Sequence, residues 1–240
     1  MMIKNFIKIA IVLLFTLISK NALAEENAVG EATELVITIT KIELCETGST
    51  ITNCLNPIDI TTGSGGSADI GSAAISPGEA AASIADFGKA KLGKTYTHIQ
   101  TILSREMTIT GTAGLCKTKA STVGSLDGAS GGAAIGHTGA AASTTLFVPH
   151  FSASSSFTMM EGSNSDGSAL APNSSVRTTD THFRTRQSLS KSYTPVAGLS
   201  PTVFLAFDTS IAVKELDDAS CTDAGLQAAA PTATLTIQGQ

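Results

Sequence analysis

The sequence contains no tryptophan and only two tyrosines, Tyr96 and Tyr193, in 240 residues. Sugar sites usually stack their ligand on exposed rings, so this shortage argues against a dedicated carbohydrate surface. There is no Cys-x-x-Cys pair and no His-x-x-x-His spacing, the patterns that most directly signal a zinc site. The histidines His98, His137, His150 and His182 stand far apart. Charge is sparse at 15% of residues, and acidic side chains outnumber basic ones 20 to 15. A net negative surface repels phosphate backbones, which excludes nucleic acid as an expected partner. No amphipathic helix longer than about ten residues stands out. An outer-membrane barrel would need longer alternating strands and aromatic girdles. No cofactor motif is present.

What is there begins with an export signal. Lys4 and Lys8 form a positive start, Ile9 to Ile18 an apolar run, and Ala22-Leu23-Ala24 a small-residue cleavage site. The apolar core is about half the roughly 20 residues that a spanning helix needs. Cleavage after Ala24 is expected to leave no membrane span. No cysteine follows directly on Ala24, which argues against a lipid anchor, and the chain turns polar where a pilin-type leader would continue as an apolar helix. Residues 1–24 are therefore read as a signal peptide, residues 25–240 as one domain, and the destination as periplasmic, extracellular or cell-surface. Loss of Lys4, Lys8 and Lys20 leaves 12 basic residues against 20 acidic ones, a net charge of −8.

Cys45, Cys54, Cys116 and Cys221 make an even cysteine count. In an oxidising compartment that composition predicts disulfides, with three connectivities open. Cys45–Cys54 would close a short loop after a strand, leaving Cys116–Cys221 to tie the middle of the chain to its C-terminal part.

Strand patterns dominate the rest. Leu35, Ile37 and Ile39 share one face, after which the apolar phase shifts to Ile42 and Leu44, as a β-bulge would produce. Pro57 to Thr61 reads as a short extended piece and residues 62–73 as a Gly/Ser loop. From Tyr96 to Thr110, Ile99, Leu103, Met107 and Ile109 face one way, and His98, Gln100, Ser104 and Glu106 the other. Thr144–Pro149, Ser156–Met160, Val203–Phe207, Ile211–Leu216 and Thr232–Gln238 supply further strands, while residues 117–143 are rich in Gly, Ala and Ser and 113–200 as a whole is rich in loops. Seven or so short strands with glycine-rich connections predict an all-β fold, an antiparallel β-sandwich with long Gly/Ser/Ala-rich loops. Residues 113–200 would be an insertion or a second sub-domain. The acidic lead-in Glu25 to Glu34 is expected to be free to pair with a partner.

Leu35-Val-Ile-Thr-Ile-Thr-Lys-Ile-Glu-Leu44, then Ile58-Asp59-Ile60, then Gly93-Lys-Thr-Tyr-Thr-His-Ile-Gln-Thr-Ile-Leu103 fall in a familiar order. Over residues 34–110 the chain resembles secreted bacterial β-sandwich domains of the DUF4382 type. The resemblance implies a transthyretin- or immunoglobulin-like sandwich outside the cytoplasm and carries no catalytic residue with it.

Gly128-Ala129-Ser130-Gly131-Gly132 matches the Gly-x-Ser-x-Gly pattern. It lacks the apolar strand before and the helix after that a nucleophile elbow requires. Asp166, Asp217 and Asp218 offer oxygen ligands for calcium with only part of the needed spacing. Tyr96 and His98, with Arg177, Arg184 and Arg186 from a basic stretch that ends at Lys191, are the candidate ligand-binding residues. Three functions follow. The first is a non-catalytic structural or surface protein that self-associates, or meets other surface proteins, through strand edges. The others are a periplasmic module for a small ligand or glycan, and a hydrolase using Ser130 or a histidine. The first explains most of the chain.

Overall fold

The computed structural model describes residues 28–71, 84–120, 135–136, 139–148, 160–163, 179–199, 201–215, 226–228 and 232–238. The expected signal peptide lies outside them. The chain forms β1 (Val29–Gly30), β2 (Ala32–Glu46), β3 (Ile58–Asp59), β4 (Gly66–Asp69), β5 (Tyr96–Ser104), β6 (Glu106–Ala113), β7 (Cys116–Thr118) and β8 (Ile135–Gly136). It continues with β9 (Thr144–Phe147), β10 (Met160–Ser163), β11 (His182–Tyr193), β12 (Thr202–Asp208), β13 (Val213–Glu215), β14 (Leu226–Ala228) and β15 (Thr232–Gln238). A 3-10 turn, Phe87–Lys89, stands between β4 and β5. Every described pairing is antiparallel.

The spine is β2 lying against β5 and β6 in succession. β2 pairs with β6 from Ala32 to Val36 and with β5 from Ile39 to Glu46. Its register slips between Ile39 and Lys41, where the apolar phase of the sequence shifts. Because side chains alternate faces, a one-residue slip would turn every later apolar residue outward unless the sequence shifted with it. Here it does: Leu35, Ile37 and Ile39, then Ile42 and Leu44, are all buried in one core. Ile99, Met107, Ile109, Leu146 and Phe183 join them from the same large sheet. Val213, Leu226, Ala228 and Ile237 close the core from the smaller sheets β1-β13-β14 and β12-β15. Two packed layers about one core make the architecture sandwich-like.

At Arg105 the large sheet changes partner. β11 pairs with β5 up to Ser104, and β9 pairs with β6 from Glu106. The Arg105 backbone holds both, its N–H donating to Thr181 O at 2.9 Å and its carbonyl accepting from Val148 N–H at 2.8 Å. The side chain is fully buried. Its Nε donates to Val148 O at 2.8 Å and one terminal nitrogen donates to Asp180 O at 2.6 Å. Burial pushes the Arg105 pKa down and the nearby Asp180 carboxylate opposes that shift. The guanidinium thus binds carbonyls where one strand ends and the next begins.

Two expectations change and one open reading is resolved. Residues 62–73 are not all loop, since Gly66–Asp69 pairs with Val36–Ile39. Gly65, at φ +82°, enters this strand so tightly that a Cβ would sit 2.1 Å from Ile39 O, and only glycine fits that approach. The basic stretch from Arg177 to Lys191, open between a loop and a strand face, is a strand from His182 onward, within His182–Tyr193 between β5 and β10. The described part of the lead-in, from residue 28, is not free either. Val29 and Gly30 pair with Lys214 and Val213, and Ala28 O accepts from Glu215 N–H at 2.8 Å. The described strands between 113 and 200 pair directly onto β5 and β6 or onto strands already joined to them.

Candidate functional site

The face of the large sheet turned away from the core carries three of the sequence-nominated residues, His98, Arg184 and Arg186. Register sets the order. Glu43 lies opposite Gln100, and Gln100 opposite Arg186. One step along, Cys45 lies opposite His98 and His98 opposite Ser188. One step the other way are Lys41, Ile102 and Arg184, with Glu161 next in register on β10. Of these, Glu43, Cys45, Gln100, Ile102, Arg184 and Arg186 are all buried.

The middle row is a continuous polar chain. Lys41 Nζ lies 2.8 Å from Glu43 Oε1. Gln100 Nε2 donates to Glu43 Oε2 at 2.5 Å, and the Gln100 carbonyl accepts from Arg186 Nε. A terminal nitrogen of Arg186 donates to Ile51 O at 3.0 Å. Ile51 belongs to the loop closed by the Cys45–Cys54 disulfide, whose Cα atoms are 5.1 Å apart. The glutamine amide is a neutral bridge, presenting its NH2 to the carboxylate and its oxygen to the guanidinium. Burial of opposite charges is tolerated when hydrogen bonds satisfy them in this way.

Inside the disulfide loop, Ser49 Oγ donates to Glu46 O and accepts from Leu55 N–H. Asn56, at φ +44°, donates to the Glu46 carboxylate at 3.1 Å. The loop is therefore a folded cover over the end of the polar row.

Of the five ligand-binding candidates, His98, Arg184 and Arg186 share this face. Tyr96 does not. It packs in the core with its ring 6.4 Å from that of Tyr193, and its hydroxyl accepts from Lys91 N–H at 3.0 Å. The register slip between Cys45 and Glu46 accompanies this placement. Arg177, the calcium candidates Asp166, Asp217 and Asp218, and Ser130 in its glycine-rich motif lie outside the described residues. Among the described residues no three His, Cys, Asp or Glu side chains group as a metal site, and no helix is long and apolar enough to cross a membrane. The Cys45–Cys54 pairing is as read. Cys116 is also disulfide-bonded, with Sγ 3.1 Å from Glu215 Oε1, and Cys221 lies outside the described residues.

Sequence reasoning missed Glu43, Gln100 and Arg105 as structural polar residues. For Glu43 and Gln100 the available signal was their place on the polar phase of strands long enough to be interior.

His98 is flanked by hydroxyls, Thr97 Oγ1 at 3.0 Å from Nδ1 and Ser188 Oγ at 3.2 Å from Nε2. Desolvation, aided by the positive charge of Arg186, lowers its pKa below 6.5. Desolvation lowers that of His182 as well. A histidine that resists protonation only when folded favours the unfolded chain in acid. Its contribution is therefore full above pH 6.5 and is lost as pH falls from there through the folded-state pKa. The urea midpoint is expected to drop between pH 7.5 and pH 5, and to drop less in His98→Gln. A midpoint that rises on acidification contradicts this assignment.

Compared with family models, curated proteins and solved structures, the chain matches none.

Proposed function

We propose that this chain is an exported, non-catalytic structural protein of the periplasm or cell surface, a subunit that assembles with its own kind. The observation that carries the reading is the use made of the polar face. Its central charged groups, Glu43 and Arg186, are bonded to each other through Gln100 and to the cover loop through Ile51 O. Such groups hold neighbouring strands in register, and that use leaves them little freedom to bind or transform a substrate. The signal-like N-terminus and the paired cysteines support an oxidising destination. On this reading the N-terminal half is a DUF4382-type sandwich serving as a rigid module.

Fractionation of the native host with protease shaving tests the proposal. The protein is expected outside the inner membrane, shorter by the leader, and within material much larger than a monomer. A cytoplasmic location, or strictly monomeric protein on cells, contradicts it.

A further inference from the structure

β2 alone has 15 residues, so at roughly 3.3 Å per residue the large sheet is about 45–50 Å long. Its two ends differ in chemistry. At one end the loops 47–57, 90–95 and 194–199 are stitched together. Thr47 N–H donates to Thr95 O at 2.9 Å, and the hydroxyls of Thr95 and Thr194 are 2.9 Å apart. These loops contain no Asp or Glu in a chain that has 20. Their charges are Lys91 and Lys94, with Lys94 ion-paired to Glu46. They also expose Ile51, Leu55, Leu92, Val196 and Leu199, with Leu92 63% exposed.

At the other end the segments 28–31, 114–115 and 208–212 meet. Thr112 N–H donates to Glu31 O, and Ala32 N–H donates to Thr209 O, each at 3.2 Å. These segments expose Val29, Leu115 and Ile211. Within these segments the charges are Glu31 and Asp208, both exposed, while Lys214 lies opposite Val29 on the neighbouring strand. These two ends carry every exposed large hydrophobic of the described residues. Scattered surface leucines need no explanation, but concentration at two poles does, one with lysines and no carboxylate in its loops, the other with two exposed carboxylates and no lysine in its segments.

We infer that the lysine-bearing apolar end of one copy docks on the acidic apolar end of the next, a head-to-tail contact between copies of this chain. Such a contact is heterologous, and a heterologous contact that does not close into a ring propagates as a filament. The inference rests on the reading of the protein as a self-assembling subunit and names the surfaces it would use. A lipid surface would account for the lysine-bearing end alone, whereas a second copy accounts for both ends.

The test uses the purified full-length exported chain and two double variants, Leu92→Glu with Leu199→Glu at one end and Leu115→Glu with Ile211→Glu at the other. All four positions are exposed. The milder Leu→Ser and Ile→Ser versions stand in if a glutamate variant loses its native thermal transition. In sedimentation velocity the parent is expected to form long species. Each double variant alone is expected to sediment as a monomer, with association weakened at least tenfold. An equimolar mixture of the two is expected to stop at dimers, because only one compatible pair of ends remains.

Polymers that survive both sets of substitutions overturn the inference while leaving the assembly reading intact, since strand edges would then carry it. A parent monomeric at all concentrations and on cells overturns both. Either variant dimerising alone shows a symmetric contact and overturns the head-to-tail arrangement. A monomeric parent that co-sediments with phosphatidylglycerol vesicles, and loses this with Leu92→Glu, overturns it in favour of a lipid surface.

Discussion

Arg105→Met is expected to lower the free energy of unfolding by about 3 kcal/mol. Methionine keeps most of the aliphatic volume but removes the donors that reach Val148 O and Asp180 O. Those carbonyls stand at the end of β9 and just before β11, where ladder partners run out. A buried acceptor left without its partner costs roughly 1–3 kcal/mol, and the buried Asp180 carboxyl would lose the positive charge that faces it. Urea unfolding measures the effect, as a lower midpoint at unchanged slope. Glu106→Gln, on an exposed neighbour, is the control and should stay within about 0.5 kcal/mol. A loss below about 1 kcal/mol in Arg105→Met would mean that water replaces the guanidinium there, and the junction would not depend on it.

Arg105 shows how a sequence can hold a structural signal that periodicity alone passes over. Between Leu103 and Met107 it stands on the apolar phase of its strand. A charged residue in that phase is either a break in the strand or a buried group with partners, and here it is both. The same holds for β11. Its apolar residues Phe183, Leu189 and Tyr193 share one phase, but Thr185, Gln187 and Lys191 interrupt it, so the sequence left the segment open between a solvated loop and a strand face. Arg184 and Arg186, two apart, were the visible sign of one face. Arg186 finds its partners in Gln100 and in the disulfide loop, which lie 86 and 135 residues away in sequence. β4 was illegible for a different reason. Gly66-Ser-Ala-Asp69 has no strand propensity of its own and is extended because β2 offers it a ladder. By contrast β2, β5, β12 and β15 were readable, since each carries β-branched or apolar residues in its own sequence. The fold's frame was therefore local information. The candidate site was not, because it exists only where three strands are in register.

That register leads to the second large effect. Replacing Cys45 and Cys54 together by alanine is expected to cost about 2.5–3 kcal/mol. The two are separated by nine positions, and freeing a loop of that size returns this much conformational freedom to the unfolded chain, on the entropic account. The native state loses as well. Cys45 is fully buried on the polar face, and the loop supplies Ile51 O to Arg186. Once the loop frays, water reaches Glu43, Gln100 and Arg186, and their attraction weakens in the higher dielectric. Two measurements separate the contributions. The double alanine variant should lower the urea midpoint, and hydrogen exchange should quicken in β11 opposite Gln100 while the spine of β2 and β6 stays protected. Arg186→Met in the disulfide-intact protein should leave the loop closed and lose less stability than the double variant. The double variant is preferable to a reducing agent, because Cys116 is oxidised too and reduction would not distinguish the two bridges. Unchanged exchange in β11 would mean that the cover loop is held by its own hydrogen bonds, Ser49 to Glu46 and Asn56 to Glu46, and that the polar row needs no disulfide above it.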